Sequence, residues 1–315
     1  MSALRVAVVG VGYLGRLHAQ KYQAVEGARL VGVCDLNPRA GGECARALDV
    51  PFVADYRELA GRVDAVTIAA DTSAHFALTR FFLEHDVHVF VEKPIARTSA
   101  EARELAELAD ARHLKLQVGH IERFNPALLS VREGLTNVRF IECHRLAPFK
   151  ARGADVNVVL DLMIHDLDVI LALVDAAPAL VSAVGISVLT DMVDIANARI
   201  EFDNGAIANV TASRVSTSPQ RKFRVFQRNQ YVSIDFGRGE VQRVTRAAGA
   251  DRPPLRQERW NLDKGDALLA ETAAFVDAIR RDTPCVVSGW DGRRALALAE
   301  TIIGDIERRR PQTAL

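Results

Sequence analysis

Leu4-Arg5-Val6-Ala7-Val8-Val9-Gly10-Val11-Gly12-Tyr13-Leu14-Gly15 runs from an apolar stretch straight into three spaced glycines, and a helical pattern follows. A short apolar run without polar alternation reads as a strand buried on both faces. Strand, Gly-x-Gly-x-x-Gly and helix in that order form the context of a dinucleotide-binding loop. Each glycine has its own job. Gly10 allows the tight turn, Gly12 lets backbone approach a pyrophosphate, and Gly15 lets the helix pack closely, with its N-terminus toward the phosphates. Tyr13 and Leu14 complete the loop and are candidate cofactor contacts. A glycine triplet alone is equally a tight turn. Asp35 adds to it: twenty positions after Gly15, at the end of the next apolar run, its carboxylate can accept the adenosine ribose hydroxyls. Asn37 sits on the same turn. A carboxylate there repels a 2′-phosphate and favours NAD over NADP, while Arg39 nearby keeps NADP open.

Up to about residue 120 the same texture repeats. Arg5–Val9, Leu30–Cys34, Ala65–Ala70, Val87–Val91 and Leu116–Gly119 read as buried strands alternating with helices. One of those helices opens with Thr98 three residues before Glu101, a capping box, and runs to Arg112. Beyond residue 135, period-2 alternation takes over in Asn137–Leu146, Asp194–Phe202, Ala206–Ala212, Lys222–Gln227 and Tyr231–Phe236. Asp203-Asn204-Gly205 reads as a tight hairpin turn between two of these runs. Two helices close the chain: one from about Asp266 to Arg280, with Leu268, Phe275 and Ile279 on one face, and one carrying Leu296, Ile303 and Ile306. The expected architecture is an α/β Rossmann-type parallel-sheet N-terminal domain over 1–122. An α+β C-terminal domain with a largely antiparallel sheet follows over 123–315, and its last helices either stay there or pack back on the first domain.

Lysine plus arginine total 40 and aspartate plus glutamate total 40 in the 315 residues. No net field therefore draws the chain to nucleic acid or to an anionic membrane surface. No apolar stretch nears the roughly 20 residues that a membrane span needs. The opening segment runs directly into a strand, so the expectation is a cytoplasmic protein. Cys34, Cys44, Cys143 and Cys285 are scattered without a Cys-x-x-Cys pair and read as reduced core thiols, neither a disulfide framework nor a zinc site.

Glu92-Lys93-Pro94 follows the Val87–Val91 strand, so Lys93 stands at the carboxyl end of the sheet, where open α/β folds gather ligands. It is otherwise an exposed loop lysine. The proline restricts Lys93 to extended geometry and permits a cis bond. Together with Ala69-Ala70-Asp71-Thr72 and His75, this phrase resembles the glucose-fructose oxidoreductase/inositol dehydrogenase (Gfo/Idh/MocA) family, and the resemblance extends over the whole chain, including Gly289-Trp290-Asp291-Gly292 before the last helix. It implies that Ala70, Thr72, His75, Glu92 and Lys93 line the cofactor and that Lys93 also meets the substrate. It further implies a second motif, Asp-x-x-x-His, which Asp161-Leu162-Met163-Ile164-His165 matches. On a helix positions i and i+4 share a face, so both side chains can point into one cleft. The plainer reading is a capping aspartate and a surface histidine. No second histidine lies at ligand spacing, so no metal is expected.

Gly119-His120-Ile121-Glu122-Arg123-Phe124-Asn125-Pro126 reads as the crossover between domains. By resemblance His120 and Arg123 serve the cofactor side, and Arg123 and Asn125 the substrate. That phrase, with Leu146–Arg152 and Asp155–Asp166, is similar to the branch of the family that oxidises UDP-N-acetylglucosamine at C3 and supplies an aminotransferase on the way to diamino-sugar lipid A. A diphosphate needs cations, and Lys150, Arg152, Arg145 and Arg123 lie in segments expected near the cleft; each alone reads equally as a solvated surface charge. In the implied reaction His165 is the general base, Lys93 steadies negative charge on the hydroxyl oxygen and Asp161 orients His165 or a sugar hydroxyl, with the roles of Lys93 and His165 open to exchange. The alternatives are an inositol- or glucose-type dehydrogenase and a non-catalytic NAD-binding sensor. The family resemblance implies a homodimer or homotetramer.

Overall fold

The computed structural model describes residues 2–150, 156–246, 254–263 and 265–309. The chain divides into two compact units. One combines the chain up to Ile121 with Asp266–Arg294; the other combines Glu122–Gly265 with the chain from Ala295 onward.

The first unit alternates strand and helix: β1 (Leu4–Val9), α1 (Tyr13–Tyr22), β2 (Ala28–Cys34), α2 (Pro38–Leu48), β3 (Phe52–Val53), β4 (Ala65–Ile68), α3 (Thr72–Glu84), β5 (His88–Glu92), α4 (Ser99–Ala111) and β6 (Leu116–Gly119). All six strands are parallel in the order β3-β2-β1-β4-β5-β6. Burial on both faces explains the unbroken apolar runs: Val6, Val8, Val66, Ile68, Val89 and Val91 have no exposed surface. Local chemistry sets the helix starts. Thr98 and Glu101 form the reciprocal capping box of α4, and Asn37 accepts from the amides of Arg39 and Ala40 to cap α2, with Pro38 at its first position.

The second unit contains α5 (Pro126–Arg132), β7 (Val138–Leu146), α6 (Ile164–Val174), β8 (Pro178–Ile186), β9 (Ile195–Phe202), β10 (Ile207–Ser213), β11 (Gln220–Gln227), β12 (Gln230–Asp235), β13 (Glu240–Arg246) and β14 (Leu255–Asn261). The strands form one sheet in the order β14-β13-β12-β11-β7-β10-β9-β8, antiparallel except where β7 meets β10. One face buries Ile141, Cys143, Ala198, Val210 and Val225 against α6 residues such as Leu167 and Ile170. The β9–β10 turn closes as expected, with Gly205 at φ +76° and the Ala206 amide bonded to Asn204 Oδ1.

α7 (Ala267–Arg280) is capped by Asp266 and contributes Phe275 and Val276 to the core of the first unit. α8 (Gly289–Arg309) begins in the first unit and ends in the second. The Gly289-Trp290-Asp291-Gly292 phrase opens this helix rather than preceding it. Ser288 and Asp291 cap it reciprocally, and a β-carbon on Gly292 would come within 2.7 Å of Val118 on β6, so glycine is what lets the helix lie this close. β3, β8, β13 and β14 lack an apolar alternation. β13 and β14 are joined instead by charge pairs across the ladder, Arg243 with Glu258 and Arg259 with Glu240. No helix among the described residues is long and apolar enough to cross a membrane. Cys34, Cys44 and Cys143 are buried and Cys285 partly so, all as free thiols.

Candidate active site

The glycine loop sits where the strand order reverses, between β1 and β4. Gly10 has φ +84°, and a β-carbon on it would lie 2.6 Å from the Ala70 amide nitrogen. A β-carbon on Gly15 would lie 1.8 Å from the Gly10 carbonyl oxygen, whereas Gly12 faces open space with nothing within 4 Å. Two glycines therefore satisfy the protein, and the third leaves room for a ligand. The α1 N-terminus starts at Gly12 without a side-chain cap and without an acidic residue in its first turn. Its amide dipoles are thus available to an anion. Tyr13 is 68 % exposed beside it, and Leu14 is half-buried.

Asp35 directly follows β2, where Oδ2 accepts the Val11 amide at 2.7 Å and Oδ1 the Asn37 amide at 2.7 Å. One carboxylate therefore ties the glycine loop to the turn where a ribose would lie. Asn37 works as the α2 cap. His75, at 1 % exposure, sets its ring between the carbonyl oxygens of Pro94 (2.8 Å) and Ala70 (3.0 Å), stapling the segment after β5 to the segment after β4. Thr72 begins α3, and the Lys93–Pro94 bond is cis.

Sequence reasoning missed the partner of Glu92. His18, on the inner face of α1, places Nε2 2.7 Å from Glu92 Oε1. Burial alone would raise the Glu92 carboxyl, but the hydrogen bond and charge of His18, with Lys93 adding, outweigh it and hold the group below its ordinary value. The available signal was a histidine three positions after Gly15, on a helix face otherwise buried. His120, directly after β6, is 1 % exposed.

In the second unit, Asp161 and His165 stand on a helix that begins as a π-turn over Val159–Met163 and continues as α6. The expected plain α-helix is therefore wound more loosely at Asp161. π-Turns occur frequently at functional sites. At about 4.4 residues per turn, i and i+4 still share a face, and Asp161 and His165 are both half-buried while Met163 and Ile164 between them have no exposed surface.

Beneath them lies a buried charge cluster. Arg145 on β7 makes a two-pronged pair with Asp166, 2.9 Å on each arm, and reaches Glu122 at 3.0 Å. Burial alone would lower its guanidinium, but Asp166 and Glu122 raise it further than burial lowers it, so it stays charged. Arg123, buried, pairs with Asp168 at 3.5 Å. Arg145, expected near a diphosphate, thus has its guanidinium committed to two carboxylates, and Arg123 faces α6 within its own unit. Asn125 caps α5 through the Ala127 amide and donates to Glu122. Lys150 is exposed after β7, and Arg152 lies outside the described residues.

A parallel sheet with a glycine loop at its switch point, an acidic β2 terminus and a lysine at the end of β5 define an NAD-dependent oxidoreductase. Residues 4–120 match the NAD-binding Rossmann fold of the GFO/IDH/MocA oxidoreductase family, and residues 137–232 match its C-terminal domain. The chain is 42% identical over 302 residues to the UDP-N-acetylglucosamine 3-dehydrogenase of Acidithiobacillus ferrooxidans, covering 95% of this chain and 96% of that one. A solved structure of that enzyme superposes with a TM-score of 0.92 at 40% identity, covering 98% of this chain and 99% of that one. The scyllo-inositol 2-dehydrogenase (NAD(+)) of Bacillus subtilis is 30% identical over 91% of this chain and 90% of its own. The chain belongs to the Gfo/Idh/MocA family.

Proposed function

We propose that this enzyme oxidises the 3-hydroxyl of UDP-N-acetylglucosamine to the ketone. The observation that carries this reading is the near-complete match at 42% identity to an enzyme named for that reaction, against 30% and 26% for two inositol dehydrogenases. Gly10, Gly12, Gly15 and the α1 N-terminus would hold the cofactor diphosphate, and Asp35 the ribose; the open space at Gly12 fits a dinucleotide. Bound NAD supplies the hydride acceptor. His165 takes the hydroxyl proton, since an imidazole titrates near neutral pH. Lys93 holds the same oxygen and steadies its developing negative charge. Asp161 orients His165 or a neighbouring hydroxyl. Lys150 and Arg152 remain candidates for the UDP diphosphate.

A 3-keto sugar nucleotide suits an aminotransferase on the route to diamino-sugar lipid A, and a cytoplasmic setting follows from both cosubstrates. Leu180, Val184 and Ile186, all exposed and of one parity on β8, support a homodimer or homotetramer built on that sheet face. The test is NADH formation by the purified enzyme with UDP-N-acetylglucosamine, myo-inositol, scyllo-inositol and glucose. Turnover of the nucleotide sugar alone is expected. Turnover of a free polyol alone would replace this reading with the inositol type, and NAD binding without any turnover would point to a sensor.

A further inference from the structure

We propose that His18 is a positioning residue for Lys93, acting through the buried carboxylate of Glu92. The inference rests on the reading of Lys93 given above.

Glu92 is held from three sides. His18 Nε2 lies 2.7 Å from Oε1, and the Lys93 amide donates to Oε2 at 3.3 Å. On β6, Gly119 pairs with Glu92 in register, and a β-carbon there would come within 2.8 Å of Oε2. His18 is fixed in turn, with no exposed surface and its ring edge-on to Phe90 at 4.9 Å and 88°. The carboxylate can shift neither toward β6 nor away from α1, and it is the residue bonded to Lys93.

A carboxylate and an imidazole at the end of a core strand are an expensive filling. Apolar residues of similar volume usually stabilise a fold as well or better, so a buried pair of this kind is weak grounds for a stability role. What it supplies here is the Glu92 carboxylate charge fixed next to the lysine and tied to the helix that follows the glycine loop. That charge favours the ammonium form of Lys93 and limits where its backbone can go. Other titratable groups on elements packed around β5 include His75 on α3, whose ring meets the Pro94 carbonyl oxygen, His120 after β6, and the buried Tyr22 on α1 and Glu271 on α7, the latter with its backbone carbonyl bonded to Gln117 on β6.

The test uses Glu92→Gln, which keeps shape and hydrogen bonding but removes the charge, and His18→Gln, which keeps a donor for Glu92. Full-length enzymes are compared with Lys93→Met for kcat, for the KM of NAD, and for the titration of Lys93 by NMR after 13C reductive methylation. In Glu92→Gln, kcat is expected to fall about 10- to 100-fold with the KM of NAD within about threefold, and the Lys93 midpoint to drop by about one pH unit. His18→Gln should recover most of kcat, while His18→Phe should not. If Glu92→Gln and His18→Phe lose stability but keep kcat and the Lys93 midpoint, the pair is merely structural and the inference falls. A Lys93→Met enzyme with wild-type turnover would instead overturn the reading of Lys93, and this inference with it.

Discussion

The two units present their polar groups on different foundations. In the first, the loop is made of backbone: Gly10 lies against the Ala70 amide, Gly15 against the Gly10 carbonyl, and Gly12 against open space, with the buried pair His18–Glu92 next to Lys93. In the second, Asp161 and His165 rest on side chains, because the helix that carries them is clamped by Arg145 to Asp166 and Glu122 and by Arg123 to Asp168. Backbone construction needs small residues at fixed spacing and tolerates substitution wherever the space is open. Side-chain construction needs charge partners from distant parts of the chain, and the removal of one strands the others.

The largest expected effect follows from that contrast. Arg145→Met removes the guanidinium that bridges Asp166 and Glu122, takes the two-pronged partner from the buried Asp166, and leaves Glu122 to the more exposed Arg221 at 3.9 Å. A loss of about 3–5 kcal/mol in urea unfolding is expected, with NAD affinity of the remaining folded protein unchanged, because the glycine loop belongs to the other unit. A loss below about 1 kcal/mol would mean that the cluster does not hold α6. Loss of NAD affinity in fully folded protein would mean that the two foundations are not independent.

The glycines sharpen the same contrast at intermediate size. Gly15→Ala forces a β-carbon to 1.8 Å from a carbonyl oxygen, so the loop must open; about 1–3 kcal/mol of stability and most of the NAD affinity should go together. Gly12→Ala meets nothing within 4 Å. It should cost about 1 kcal/mol or less in thermal unfolding while weakening NAD at least tenfold by calorimetry. Equal NAD affinity in Gly12→Ala and wild type would move the diphosphate away from the loop.

This contrast also decides what could be read in advance. The parallel sheet, the glycine loop, Asp35, the capping box at Thr98 and the turn at Gly205 were legible, because each is written in neighbouring residues. β13 and β14 were not, because Glu-Val-Gln-Arg-Val-Thr-Arg and Leu-Arg-Gln-Glu-Arg-Trp-Asn are held by cross-strand charges that mean nothing until the register is known. The Asp161 to His165 spacing was visible, while the π-turn under Asp161 left no local mark. Arg145 was legible only as a cation. Its partners stand 21 and 23 positions away, and a chain read residue by residue gives a buried clamp and a surface phosphate ligand the same letter.

The smallest effect compares two aspartates that both accept backbone amides. Asp35 takes the amides of Val11 and Asn37 and stays partly open to a ligand. Asp194 has no exposed surface and gathers the amides of Val188, Leu189 and Thr190 at 2.6–2.9 Å, with the Thr190 hydroxyl on its other oxygen. Burial would raise Asp194, but those donors outweigh it and bring the carboxyl down to about 2 from an ordinary 3.8. A carboxyl depressed by folding stabilises fully above its unfolded value and loses that contribution as pH falls through its folded one. The stabilisation by Asp194 should therefore be complete above about pH 4 and fade toward pH 2. Arg214, just after β10, pairs with Asp194 at 3.6 Å, and the Val193 carbonyl beside Asp194 accepts the Val158 amide just before the π-turn, so the loop it organises meets the segment leading to Asp161. Asp194→Asn should cost on the order of 1–2 kcal/mol at pH 7, and the gap to wild type should close as denaturation is repeated from pH 4 down to pH 2. A gap that stays constant across that range would assign the loss to shape rather than to charge. Asp35→Asn, measured alongside, should leave stability nearly unchanged and shift NAD affinity instead.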